Sequence, residues 1–159
     1  IAVLPYVIHP KTAVLGRAVG GYCVLHFRLA HWCSQGWHKY LGFPIVLYYH
    51  LFRHITGFDV HEKAEIGYFF NPLHCVGMVI NPDVKIGNYF TIGHNSTLGK
   101  KNGKSPVIGN HVSVSPQCSV IGDIFIADNA VVGIGSVVLK NVPENAIVAG
   151  NPAKILKIK

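Results

Sequence analysis

From Asp59 onward an aliphatic side chain recurs every six positions. The series runs Ile80, Ile86, Ile92 and Leu98, then Ile108, Val114, Val120, Ile126, Val132 and Val138, with Ile66 before it and Val148 after it. Two positions ahead of most members sits a second apolar or small residue, among them Val84, Phe90, Ser96, Val112, Cys118 and Ala130. A period of six is neither the 3.6 of a helix nor the simple alternation of a hairpin strand. It predicts short strands joined by tight turns, each strand turning one aliphatic side chain into a narrow axial core. Three such strands close a triangular coil of about 18 residues, and stacked coils pair their strands at a spacing of about 4.8 Å. The chain is therefore expected to be mainly β, a parallel β-helix.

The metre breaks twice. Leu98 and Ile108 are ten positions apart, so the run Lys100–Lys104 (KKNGK) has to loop out of the prism. Ile66 and Ile80 are fourteen apart, two repeats plus two residues, with no clear aliphatic marker at the centre. Loops on a rigid scaffold commonly carry chemistry, and His74 lies in the second break.

The first 58 residues follow a different pattern. Apolar residues recur there at mixed three- and four-residue spacings (Val24, Phe27, Leu29, Trp32; Ile45, Leu47, Tyr48, Leu51, Phe52, Ile55), punctuated by Gly36 and Pro44. This predicts two or three short helices, with 22–34 the firmest. Three regions result: a helical segment over 1–58, the β-helix over 59–141 and a C-terminal tail over 142–159.

Composition adds direction. Fourteen Lys and Arg against seven Asp and Glu give a formal charge of +7, and residues 1–58 hold five of the bases and no acid at all. Such a surface favours an anionic partner: a phosphorylated cofactor, an acidic glycan or a membrane face. No basic stripe interleaves with aromatics, so nucleic acid is not expected. The four cysteines show no CxxC spacing and are expected to be reduced thiols in a cytoplasmic protein.

Certain phrases carry a resemblance. Arg28-Leu29-Ala30-His31, Thr56-Gly57-Phe58-Asp59-Val60-His61, His74-Cys75-Val76-Gly77 and the closing Ala149-Gly150-Asn151-Pro152-Ala153-Lys154 resemble the hexapeptide-repeat acyltransferases. Within them the pattern is similar to the serine O-acetyltransferase group, which includes surface-polysaccharide O-acetyltransferases. The resemblance implies a left-handed β-helix, acetyl-CoA as donor, no metal, and a homotrimer with active sites between neighbouring prisms. It places His74 on the catalytic histidine and Asp59 on the aspartate that orients it. For the donor, the edge of the prism suggests Gly99 beside the loop, Ser115 and Gly133 one coil apart, and Lys154 toward the nucleotide phosphates.

Where the serine-specific group has an acidic residue before its histidine, this chain has Leu73, and where that group has Arg-His the loop reads Lys104-Ser105. A site for a zwitterionic amino acid needs opposite charges placed for each end, so a sugar hydroxyl is the expected acceptor, with a serine O-acetyltransferase of cysteine biosynthesis as the alternative. Tyr68, Phe69 and Phe70 are candidates for stacking on it. The basic helical segment suits a glycan presented at the cytoplasmic membrane face. Neutral imidazole is a fitting base for a hydroxyl, with a carboxylate fixing its tautomer, and the backbone near Gly77 is a candidate for the oxyanion. The remaining histidines of the first half (His9, His26, His31, His38, His50, His54) read as surface or satisfied groups, and Cys75 as a buried thiol. Two rivals use the same prism: a zinc enzyme with three converging histidines, for which His61, His74, His94 and His111 lack the HxxxxH spacing, and a non-catalytic scaffold.

Overall fold

A computed structural model of the chain describes residues 13–35, 40 and 42–159; Gly36, His9, His38 and Lys39 lie outside the described residues. Among the described residues the first elements are α1 (Ala13–Cys33) and α2 (Phe43–Thr56). Pro44 stands in the first turn of α2, where its missing N–H costs nothing. Gly57 ends that helix in the left-handed region at φ 69°, its N–H bonding Arg53 O at 3.0 Å. The chain then enters the first strand without a linker.

Fifteen short strands follow, dealt in turn to three faces. The first face stacks β1 (Phe58–Val60), β4 (Met78–Ile80), β7 (Thr97–Gly99), β10 (Ser119–Ile121) and β13 (Val137–Val138). The second holds β2 (Glu65–Ile66), β5 (Lys85–Ile86), β8 (Val107–Ile108) and β11 (Phe125–Ile126). The third holds β3 (Asn71–Leu73), β6 (Thr91–Gly93), β9 (Ser113–Val114), β12 (Val131–Val132), β14 (Ala146–Gly150) and β15 (Ala153–Ile158). All pairings are parallel except β14 with β15. This is the β-helix the six-residue metre predicts. Every aliphatic marker from Ile80 to Val138 is buried, and so are the residues two positions ahead of them. Residues 142–159, read from sequence as a tail, contain β14 and β15 and extend the third face; Val142 bridges Ile126 of the second.

The three edges between the faces differ. On the second edge, between the second and third faces, side-chain oxygens bond amides one coil earlier. Tyr68 N–H donates to Asn88 Oδ1 (2.8 Å), Asn88 N–H to Asn110 Oδ1 (2.9 Å) and Asn110 N–H to Asp128 Oδ1 (2.7 Å). Glycine precedes each amide of this ladder for a steric reason: a Cβ on Gly67 would stand 2.6 Å from Asn88 Oδ1, and one on Gly87 2.7 Å from Asn110 Oδ1. The Asn110 backbone N–H and then its carboxamide hold the Asp128 carboxyl below the usual carboxylate range.

The third edge, from the third face back to the first, contains the break. Pro72 is the marker the sequence pattern hides: it is buried and pairs with Ile92. Leu73 pairs with Gly93, and Asn95 N–H bonds Val76 O just as Gln117 N–H bonds His94 O and Gly135 N–H bonds Pro116 O. Val76 is thus the structural equivalent of His94, Pro116 and Ile134. The two extra residues of the fourteen-residue interval are His74 and Cys75 themselves.

Candidate active site

The insertion gives this corner two left-handed residues, His74 (φ 54°) and Gly77 (φ 65°), where the coils below have one. Gly77 admits no side chain, since a Cβ would strike the Asn95 carboxamide. The turn is closed by Val76 N–H on His74 O at 2.7 Å, and it is tied to the end of α2 by Met78 N–H on Gly57 O at 3.2 Å. His74 consequently faces outward while Cys75 is buried. A hydrogen bond with Cys23 of α1 and burial together push the Cys75 thiol up, so it is protonated and inert as a nucleophile. Beneath His74 the His94 ring stands edge-on, centroids 5.9 Å apart, with its Nδ1 buried and lacking a partner.

Below the corner runs a row of equivalent positions: Leu73, Gly93, Ser115, Gly133 and Ala149. Ser115 and Gly133 are therefore brought together one coil apart on the edge that His74 heads. Lys154, exposed on β15, lies opposite Ala149 and continues the row. Gly99 does not join them. It sits on the first edge beside Ile121, next to the lysine loop. The smallness of Gly133 has a packing cause of its own, because a Cβ there would come 2.9 Å from the Ala149 Cβ.

Asp59 is on the first face and half-exposed, and its partner is Arg53. The guanidinium Nε donates to Asp59 Oδ1 at 2.8 Å, Nη2 donates to the same oxygen, and Nη1 reaches Glu62 Oε2 at 3.3 Å. Glu62 is 5% exposed and faces His61 Nδ1 at 3.5 Å and His50 at 3.9 Å. Burial lowers the His61 pKa against the opposing pull of Glu62. No hydrogen bond joins Asp59 to His74 among the described residues. The Arg53–Asp59–Glu62 cluster escaped the sequence reading; its signal was a cation in the last turn of a helix six residues before the aspartate.

The aromatic trio falls elsewhere than expected. Phe70 is buried against Phe27 and Phe90. Tyr68 and Phe69 are exposed on the second edge, where Phe69 stacks on Tyr89 and Tyr89 on His111, each at 4.6 Å. They lie one corner before His74 in the same coil, on the far side of β3. The extruded lysines are engaged as well, Lys100 with Asp83 and Lys104 with Asp123, each at 2.5 Å. His61, His74 and His111 occupy three different edges, and among the described residues no three His, Cys, Asp or Glu side chains gather for a metal.

No family model matches the chain. Relatives do. The protein named as a colanic acid biosynthesis acetyltransferase, WcaB of Escherichia coli K12, is 38% identical over 86% of this chain and 90% of its own length. The chain belongs to the hexapeptide-repeat acyltransferases. Another relative in this acyltransferase family, the serine acetyltransferase of Helicobacter pylori, is 34% identical over 92% of this chain and 86% of that one. Among solved acyltransferases, serine acetyltransferase from Brucella abortus in complex with coenzyme A superposes with a TM-score of 0.75 at 28% identity. The match covers 88% of this chain, which spans 56% of that longer one.

Proposed function

We propose that this chain, an acetyl-CoA-dependent O-acetyltransferase, transfers acetyl to a hydroxyl of a sugar or surface polysaccharide, with His74 as general base. The observation that supports it is the insertion of His74 at the head of the third edge. It is the exposed side chain of a two-residue addition to an otherwise regular corner, above a row of small residues that ends at Lys154. Acetyl-CoA fits along that row with its thioester at His74, past Ser115 and Gly133, and its phosphates toward Lys154. As the acceptor oxygen attacks the thioester carbonyl, an imidazole nitrogen of His74 takes its proton. The C–S bond then breaks and the coenzyme A thiolate recovers that proton from the imidazolium. The products are the acetyl ester and free coenzyme A. Val76 N–H is already spent on His74 O and Met78 N–H on Gly57 O, so Gly77 N–H is the donor proposed for the oxyanion.

Asp59 orients His74 in this reading through Oδ2, the oxygen Arg53 leaves unbonded. The first face turns uncharged Val79, Thr97, Ser119 and Val137 outward beside Asp59. This supports a homotrimer in which Gly99 of one prism faces the Ser115 edge of the next. Leu73 and the carboxylate-bound Lys104 supply no charge pair for a free amino acid, which would lose several kcal/mol by leaving its charges unmatched. Relatives of both kinds are found, so the acceptor needs direct comparison: coenzyme A release with L-serine against release with mono- and oligosaccharides. The saccharides should give the higher kcat/KM; a higher value for serine would reverse the assignment.

A further inference from the structure

The two helices expose the wrong face. On α1 the buried stripe is Cys23, Phe27, Ala30 and Cys33, while the opposite stripe, Tyr22, Leu25, Leu29 and Trp32, is 45–66% exposed. On α2, Tyr49 points inward and Leu47, Leu51 and Ile55, at successive turns, are 58–75% exposed. The outward sides of both helices are thus apolar, whereas a helix resting on a prism ordinarily turns charges to water. Exposed apolar side chains that recur on one side of two neighbouring helices mark an interaction surface, unlike apolar residues scattered singly.

Charge decides what covers this face. Neither helix carries an acidic residue, and the first 58 residues supply five Lys and Arg. Arg28 and Arg53 are consumed by the prism, the first on Ile66 O and Gly67 O, the second on Asp59 and Glu62. The same 58 residues of sequence hold three further bases, Lys11, Arg17 and Lys39, and no Asp or Glu. A second copy would oppose base to base. An anionic lipid surface offers both an apolar layer and the missing negative charge, the combination that holds interfacial amphipathic helices. No helix among the described residues is long and apolar enough to cross a bilayer, so the contact is lateral.

We propose that the outward faces of α1 and α2 form a docking surface for an anionic bilayer, seating the prism on the membrane. The proposal stands independently of which acceptor the enzyme uses. The test is co-sedimentation of the full chain with phosphatidylcholine vesicles, with and without phosphatidylglycerol, for wild type and for the double variant Leu25→Glu/Leu51→Glu. Wild type should pellet with the phosphatidylglycerol vesicles, less so as salt is raised. The variant should bind about tenfold more weakly or worse, with unchanged thermal melting and unchanged coenzyme A release with a soluble acceptor. A milder pair, Leu29→Gln/Ile55→Gln, repeats the comparison if the glutamates disturb folding. Three results overturn the proposal: no preference for the anionic vesicles, binding that survives the substitutions in a folded variant, or a fall in oligomer mass on substitution, which would assign the face to a second copy.

Discussion

The second and third edges of the prism are built from the same six-residue unit but close it differently. Along the second, each coil's Asn or Asp oxygen meets an amide of the coil before, and Phe69, Tyr89 and His111 stack ring on ring. Every coil repeats the same solution. Along the third, two residues are inserted, a histidine is pushed into solvent, and the ring beneath it keeps a buried nitrogen without a partner. Repetition that satisfies its own polar groups serves stability; a departure that leaves groups available marks a place for chemistry. Activity and stability should accordingly separate by edge.

The largest expected effect is on the third edge. His74→Ala removes an exposed side chain and should leave the melting temperature where it is, while kcat/KM falls by about 10²–10⁴-fold, the usual worth of a general base. Parallel loss of melting temperature and activity in His74→Ala would make the residue structural and erase the contrast between edges.

The next effect is the converse. Asn110 accepts Asn88 N–H and donates its own carboxamide to Asp128 Oδ2 at 3.1 Å. Asn110→Ala strands the Asn88 amide in a part-buried edge, at a cost of about 1–3 kcal/mol, and should leave turnover alone. Denaturant unfolding measures the first quantity and coenzyme A release the second. Turnover reduced as much as stability would show that the edges are not separable.

The inward markers Ile86, Leu98, Val114 and Val132 were legible because one strand gives one buried aliphatic at fixed phase, whatever its neighbours do. Pro72 was not, since proline is a poor strand residue and reads as a break although the fold uses it as the missing marker. That mistake spread the irregularity over fourteen residues; the structure narrows it to His74 and Cys75. For the helices, apolar residues at mixed three- and four-residue spacings surround α1, so the pattern names a helix without naming its inner face. Phe27 went inward, Leu29 and Trp32 outward. At the site, spacing and resemblance pointed to His74 and Asp59 but could not foresee Arg53, because a side-chain partner supplied by a preceding helix depends on how that helix docks.

The smallest effect tests whether the second edge is held by charge as well as by shape. Asp128 ends the ladder, and bonds from Asn110 keep its carboxyl below the ordinary carboxylate value. A depressed native pKa contributes stability that is present above the unfolded value, about 4, and disappears as pH falls through the native one. Asp128→Asn keeps an oxygen for the Asn110 N–H but has no proton to gain. Melting temperatures of the two proteins should therefore differ little at neutral pH, with wild type slightly ahead, and that advantage should vanish on acidification below about pH 4. Because the carboxyl is only partly buried, solvent screens it and the shift will be small. An advantage of wild type that persisted unchanged into acid would mean the ladder needs the second side-chain oxygen at 128 as an acceptor for the Asn110 carboxamide and not its charge. The second edge would then be satisfied by geometry alone, and its difference from the histidine edge would rest wholly on the inserted pair.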